Sequence, residues 1–175
     1  MSAWLDAERN HRRILAAFEC VPKAAKKRLG MGSVLVPDDP QPWGTKVQKL
    51  VRGMRTPLRD GSIVRLRVSA DGERVDAVMV MKAHVRSRDA RFDLAIAARH
   101  VGAWGLGMGG SILDCFDAEC RGVLRKAGLA EGGAVTVVHR LNTPMQVLLR
   151  SRGWSYLGPV ENDLEYAYWA ITITA

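Results

Sequence analysis

The chain has 175 residues, 47% of them apolar and 25% charged, with a formal net charge of +8. This is the length of one domain, 1–175, with enough apolar side chains for a sizeable core. No apolar run approaches the ~20 residues a membrane span needs. Met1-Ser2-Ala3-Trp4-Leu5-Asp6 lacks the basic and apolar regions of a secretory signal, so a cytoplasmic protein with no membrane partner is expected.

Three cysteines (Cys20, Cys115, Cys120) and four scattered histidines (His11, His84, His100, His139) show no metal-ligand spacing. No metal site is expected, and the thiols read as reduced. The positive charge is uneven. Residues 1–55 carry eleven Lys/Arg against five acids, densest at Lys23-Ala24-Ala25-Lys26-Lys27-Arg28. Such a surface attracts polyanions, whether nucleic acid or a multiply phosphorylated ligand, and equally serves as a solvated face.

The spacing of Trp4, Ala7, His11, Ile14, Leu15 and Phe18 predicts a helix over residues 3–19, ended by Val21-Pro22. A short basic helix is expected over Lys23–Leu29, then an irregular loop through Pro37-Asp38-Asp39-Pro40-Gln41-Pro42. Thr45–Arg55 reads as a further helix with Val47, Leu50, Val51 and Met54 on one face. From Gly61 the period becomes two. Strands are predicted over Ser62–Ser69 and Arg74–Val85 around an Asp71-Gly72 turn, then over Arg91–Ala98, whose apolar character on both faces suits a central strand.

Next comes Gly102-Ala103-Trp104-Gly105-Leu106-Gly107-Met108-Gly109-Gly110-Ser111, leading into a helix over roughly Gly110–Ala127 with Gly128 as its stop. A strand feeding a glycine-rich loop and then a helix start is a phosphate cradle. Unpaired N–H groups point outward there, and glycine lets an anion come close. A fourth strand covers Ala134–Val138. It is followed by a helix capped at Thr143 with Pro144 at its first position, and by strands over Trp154–Leu157 and Glu165–Thr174. The order implies a mixed α/β sheet covered by helices.

Over residues 61–175 the chain resembles the GNAT superfamily of acyl-CoA-dependent N-acyltransferases. Gly107-Met108-Gly109, with Gly110-Ser111-Ile112-Leu113 behind it, resembles the loop Arg/Gln-x-x-Gly-x-Gly/Ala that binds the pyrophosphate of coenzyme A. Asn142-Thr143-Pro144-Met145 through Gly153-Trp154 is similar to the family's Asn-x-x-Ala…Tyr-x-x-x-Gly-Phe segment. Two departures stand out: Trp104 (or Gly102, in the register Gly105-Leu106-Gly107) replaces the Arg/Gln, and Leu149 the tyrosine that many members use as general acid. Residues 1–60 depart further, because the family begins with a strand; Ser33-Val34-Leu35-Val36 is a candidate for that strand, displaced.

The resemblance implies a mostly antiparallel sheet flanked by helices, here with a helical basic N-terminal segment. It also implies acetyl-CoA as acyl donor and direct attack by an amine in a ternary complex. The donor would lie along Ala97, Ala98 and Arg99, over Trp104, Gly105, Leu106, Gly107, Met108, Gly109, Gly110 and Ser111, with Asn142 near its pantetheine. His100 or His139, at successive strand ends, are candidates to take the amine proton, and Tyr166 to protonate the departing thiolate. The acceptor is open: a small molecule, a protein, or an amine on nucleic acid such as aminoacyl-tRNA. A homodimer is compatible with the reading. The alternative is a protein of this fold without acetyltransfer activity that holds nucleic acid or a protein partner on its basic surface.

Overall fold

The computed structural model describes residues 3–21 and 42–175. The expected Lys23–Leu29 helix, the Ser33–Val36 strand and all but the last residue of the Pro37–Pro42 loop lie outside them. Seven strands, β1 (Trp4–Asp6), β2 (Ile63–Val68), β3 (Val75–Arg86), β4 (Asp89–Arg99), β5 (Glu131–His139), β6 (Ser155–Val160) and β7 (Asp163–Thr174), form one sheet in the order β1-β2-β3-β4-β5-β7-β6. Among the described residues only β4 and β5 run parallel, joined by the crossover helix α3 (Met108–Ala127). The mixed, mostly antiparallel sheet flanked by helices is therefore present.

The beginning of the chain differs from the predicted helix over 3–19. Trp4–Asp6 instead pairs with Arg65–Arg67 as an edge strand, a 3-10 turn spans Arg9–His11, and only Arg12–Ala16 is helical (α1). Long-range partners outweigh the helical spacing at this end. The Trp4 indole N–H donates to Ser111 Oγ at 3.3 Å, and Asp6 pairs with Arg65. The periodic apolar residues that do form a helix face, Ile14 and Leu15, are buried with Phe18 just beyond.

Helix α2 (Pro42–Arg52) is clipped to the end of the α1 segment. Gln48 Oε1 accepts the N–H groups of Cys20 (2.9 Å) and Val21 (3.1 Å), and Arg52 Nε donates to the Phe18 carbonyl at 2.7 Å. A Cβ at Gly44 would lie 2.8 Å from Val21, so this approach requires glycine.

Two apolar cores cover the two sheet faces. On one, α1 and α2 bury Ile14, Leu15, Phe18, Val51 and Met54 against Val64, Leu66, Val78, Val80 and Ala98. On the other, Ile112, Phe116, Cys120 and Leu124 of α3 and Leu149 of α4 (Thr143–Ser151) pack on Met79, Phe92, Leu94, Val138 and Trp169. Within α4, the cap is Asn142 rather than Thr143: Asn142 Oδ1 accepts from Met145 N at 3.3 Å, and Pro144 sits second. The final hairpin is tighter than its turn-rich composition suggests, with β6 running to Val160 and β7 starting at Asp163.

Candidate active site

The ladder between β4 and β5 runs from Arg91–Gly133 to Leu94–Thr136 and stops. Thr136 Oγ1 closes the last rung by donating to the Leu94 carbonyl at 2.9 Å. β4 continues to Arg99 and β5 to His139 without pairing to each other, so the two strands splay into a V.

A bulge sits where they part. Val80 of β3 pairs with Ile96, but Met81 pairs with Leu94, which leaves Ala95 as the extra residue. The bulge reverses the alternation of β4. Before it, Ala90, Phe92 and Leu94 face α3; after it, Ile96 and Ala98 face α2 and Ala97 packs toward α3. The β5-facing main chain of Ala95–Arg99 is left outside the ladder, a row of donors and acceptors able to pair with an extended ligand. The doubly apolar stretch that marked β4 as central is thus two half-strands of opposite facing. No pattern in residues 91–98 signals the extra residue.

The glycine loop lies beyond the end of β4. Gly105 (φ 78°) and Gly107 (φ 68°) occupy left-handed backbone that other residues avoid, and Gly107 stands immediately before α3. The first helical bond is Ser111 N to the Gly107 carbonyl at 3.2 Å, so the N–H groups of Met108, Gly109 and Gly110 have no partner within the helix. No acidic side chain occupies this first turn. The positive end of a 20-residue helix is therefore open to an anion. A Cβ at Gly109 would fall 2.9 Å from the end of the Leu148 side chain, and one at Gly110 3.1 Å from Arg152 Nη2, contacts that these flexible side chains relieve by shifting. Trp104 is half exposed, with the Arg99 guanidinium 5.1 Å over its ring, and Leu106 is exposed beside it.

Other polar and apolar side chains around the site are already engaged. Ser111 Oγ accepts from Trp4 Nε1 and from Arg67 Nη1 (2.9 Å), which ties the start of α3 to β1 and β2. Asn142 spends its side-chain oxygen on the α4 cap. Arg152 pairs with Asp114 at 2.5 Å and Arg150 lies over Trp169. Leu149 is fully buried in the α3-side core. Cys115 and Cys120 are buried on α3, and burial pushes the Cys115 thiol up to about 11 and Cys120 higher still. Asp93, two residues before the bulge, bonds His84 and Arg91, both at 2.9 Å, on the side toward the β3–β4 turn.

Each arm of the V ends in a histidine. His100, after β4, accepts the Gly102 N–H on Nδ1 at 2.9 Å and meets Phe18 edge-on. Burial holds its pKa below the usual histidine value; Arg74 adds to that, and Glu19 and Asp76 oppose it. His139, the last residue of β5, accepts the Leu141 N–H on Nδ1 at 3.1 Å. Its ring is buried between the Trp43 indole of α2, stacked at 4.4 Å, and the edge-on ring of Tyr166 at 5.0 Å. Lys46 Nζ stands 5.2 Å over Tyr166, and exposed Glu165 lies 3.9 Å from His139 Nε2. The structure thus brings His139 and Tyr166 together, with His100 on the other arm. The contribution of α2 through Trp43 and Lys46 carries no motif and is absent from the sequence reading.

A seven-stranded sheet with one parallel pair splayed beside a glycine-led helix has well-defined counterparts among solved structures. This is the GNAT acetyltransferase fold. Aminoglycoside 6'-acetyltransferase type Ii superposes with a TM-score of 0.62 at 12% identity, covering 99% of this chain and 98% of that one. The ribosomal-protein-S18-alanine N-acetyltransferase from Escherichia coli gives 0.59 at 14%, covering 100% and 96%. AtaTR bound with acetyl-CoA gives 0.59 at 10%, covering 95% and 90%. No protein-family model matches the sequence, and no curated protein does.

Proposed function

We propose that the chain is an N-acyltransferase that moves an acetyl or related acyl group from acyl-CoA to an amine by direct attack in a ternary complex. The observation that carries this reading is the V between β4 and β5, which opens onto the unpaired N–H groups at the start of α3. The row of main-chain groups after Ala95 suits the amide-bearing pantetheine arm as an added strand. The Met108–Gly110 amides and the helix dipole suit the pyrophosphate, and Arg99 with Trp104 offers a cationic, aromatic surface beside it. An N–H at the bulge is available to polarise the thioester carbonyl. Likeness to AtaTR bound with acetyl-CoA supports the same ligand class.

The acceptor would enter from the α2 side, past His139, Tyr166 and His100, where Tyr166 is the hydroxyl proposed to meet the leaving sulfur. The buried Leu149, standing where a tyrosine would be, favours the second reading of a binding protein without transfer activity.

Calorimetric titration with acetyl-CoA and CoA tests the proposal. Micromolar binding by the wild-type protein is expected, and Gly107→Glu, which sets a carboxylate at the helix start, should abolish it while the protein still melts cooperatively. Absence of binding by the wild type overturns the acyltransferase reading and leaves the basic surface as the functional one.

A further inference from the structure

The two histidines at the ends of the V share a feature that bears on what the site can acylate. In each, Nδ1 accepts the backbone N–H two residues further on, Gly102 for His100 and Leu141 for His139. A neutral imidazole has one acceptor nitrogen and one N–H. With Nδ1 committed to a backbone donor, the proton resides on Nε2, and the ring has no free lone pair for an ammonium proton. Taking one up would place an N–H against a backbone N–H.

At His100 the surroundings reinforce this. His100 faces Arg74, Asp76 and Glu19 across the ends of β3, β4 and the α1 segment, with Glu19 itself paired to Arg52 of α2 at 3.5 Å. Its depressed pKa means that the neutral form prevails there. His139 is flanked by Trp43 and Lys46 of α2, by Tyr166 and Glu165 of β7, and by Arg140 next in sequence. Glu165 lies at the exposed rim, with 78% of its side chain open to water. On the α3 side, Ala97, Met108, Val138, Met145 and Leu148 belong to or pack on the apolar core.

We infer that the acceptor is an amine that arrives already unprotonated, of the α-amino ester or amide kind, and that His100 and His139 position the two arms of the V without accepting its proton. This rests on the acyltransferase reading. An α-amine titrates near 7.7–8.0 and a lysine-like alkylamine near 10.4, so about 200-fold more of the former is neutral at pH 7.5. In the reaction, the amine lone pair forms the N–C bond and the C–S bond breaks with its electron pair going to sulfur. One nitrogen proton is released through solvent, and the thiolate takes one up.

The test is a pH profile of kcat/KM, read by thiol release from acetyl-CoA, for a panel of amino-acid amides, amino-acid esters, benzylamine and simple alkylamines. It is run on the wild type and on His100→Asn and His139→Asn. Asparagine offers an amide oxygen to the same backbone N–H but cannot titrate, so each turn is retained. The expected result is an inflection that follows each amine's own pKa, moving about 2.5 units from amides to alkylamines, with the same positions in both variants. An inflection common to all amines, whose loss in one variant identifies that histidine as the base, overturns the inference. So does a plateau rate that falls 1,000-fold or more in an asparagine variant. Acetyl-CoA binding with no amine acetylated at any pH also overturns it, because a neutral amine would then not suffice. Failure to bind acetyl-CoA instead overturns the acyltransferase reading itself.

Discussion

The two sides of the V are built from different chemistry. On the α3 side the polar groups are main-chain, held by glycines at positive φ, and the side chains are apolar: Leu148 against Gly109, Leu149 in the core. On the α2 side the polar groups are side chains, already bonded to the backbone or stacked on one another: His100, His139, Tyr166, Trp43 and Lys46. Main-chain donors have one geometry and recognise an anion of any origin. A set of interlocking rings recognises shape. The first arrangement suits a constant donor molecule, the second a particular acceptor.

Breaking the α3 side should have the largest effect. Leu149 is fully buried, at 0% accessibility, so Leu149→Ala leaves a cavity between α4 and the sheet. A loss of about 2–5 kcal/mol is expected in denaturant unfolding. Leu149→Tyr, which would introduce a phenol, should overpack the same site and cost about 1–3 kcal/mol. A Tyr variant at wild-type stability would mean that α4 shifts easily.

On the α2 side, Trp43→Ala removes a ring stacked on His139 and leaves the glycine loop untouched. About 0.5–1.5 kcal/mol of stability should go with the aromatic contact. Kinetically, KM for the amine should rise while acetyl-CoA affinity by calorimetry stays within twofold. Equal losses for both ligands would erase the distinction between the two sides.

Much of this division can be traced to the sequence, though unevenly. The strands from Ile63 onward and α3 follow from period-two, doubly apolar and 3.6-residue patterns, because β3 and β4 bury side chains on both sheet faces and α3 buries one stripe. The glycine loop is legible because positive φ has a residue signature at Gly105 and Gly107. Trp4–Asp6 misleads: three residues cannot announce a strand whose partners are Arg65–Arg67 and Ser111, far along the chain. The Ala95 bulge leaves no composition trace, because alanine fits either face of a strand. Trp43 over His139 joins residues almost a hundred positions apart and no local rule relates them.

Ser111 sharpens the comparison at its boundary, since it begins α3 yet its hydroxyl faces β1 and β2. Ser111→Ala removes the acceptor of two hydrogen bonds, from Trp4 Nε1 and Arg67 Nη1. About 1 kcal/mol of stability should be lost. Unchanged acetyl-CoA affinity would assign the hydroxyl to docking the helix, and a tenfold loss would assign it to the phosphates.

The smallest expected effect concerns pH. The folded-state pKa of His100 lies below its unfolded value of 6.5. Between the two values the unfolded chain binds a proton that the folded chain does not, so stability increases with pH across that interval. The contribution is fully present above 6.5 and is lost as pH falls toward the folded pKa. The physical reason is the burial that disfavours the imidazolium, compounded by Arg74 and by the Gly102 N–H that needs an unprotonated Nδ1. His100→Asn keeps an acceptor for Gly102 and cannot titrate. Its unfolding free energy, measured from pH 7.5 down to 5, should therefore fall less steeply than that of the wild type. Parallel curves for the two proteins would mean that His100 titrates alike folded and unfolded, and that its Nδ1 is free to take a proton after all.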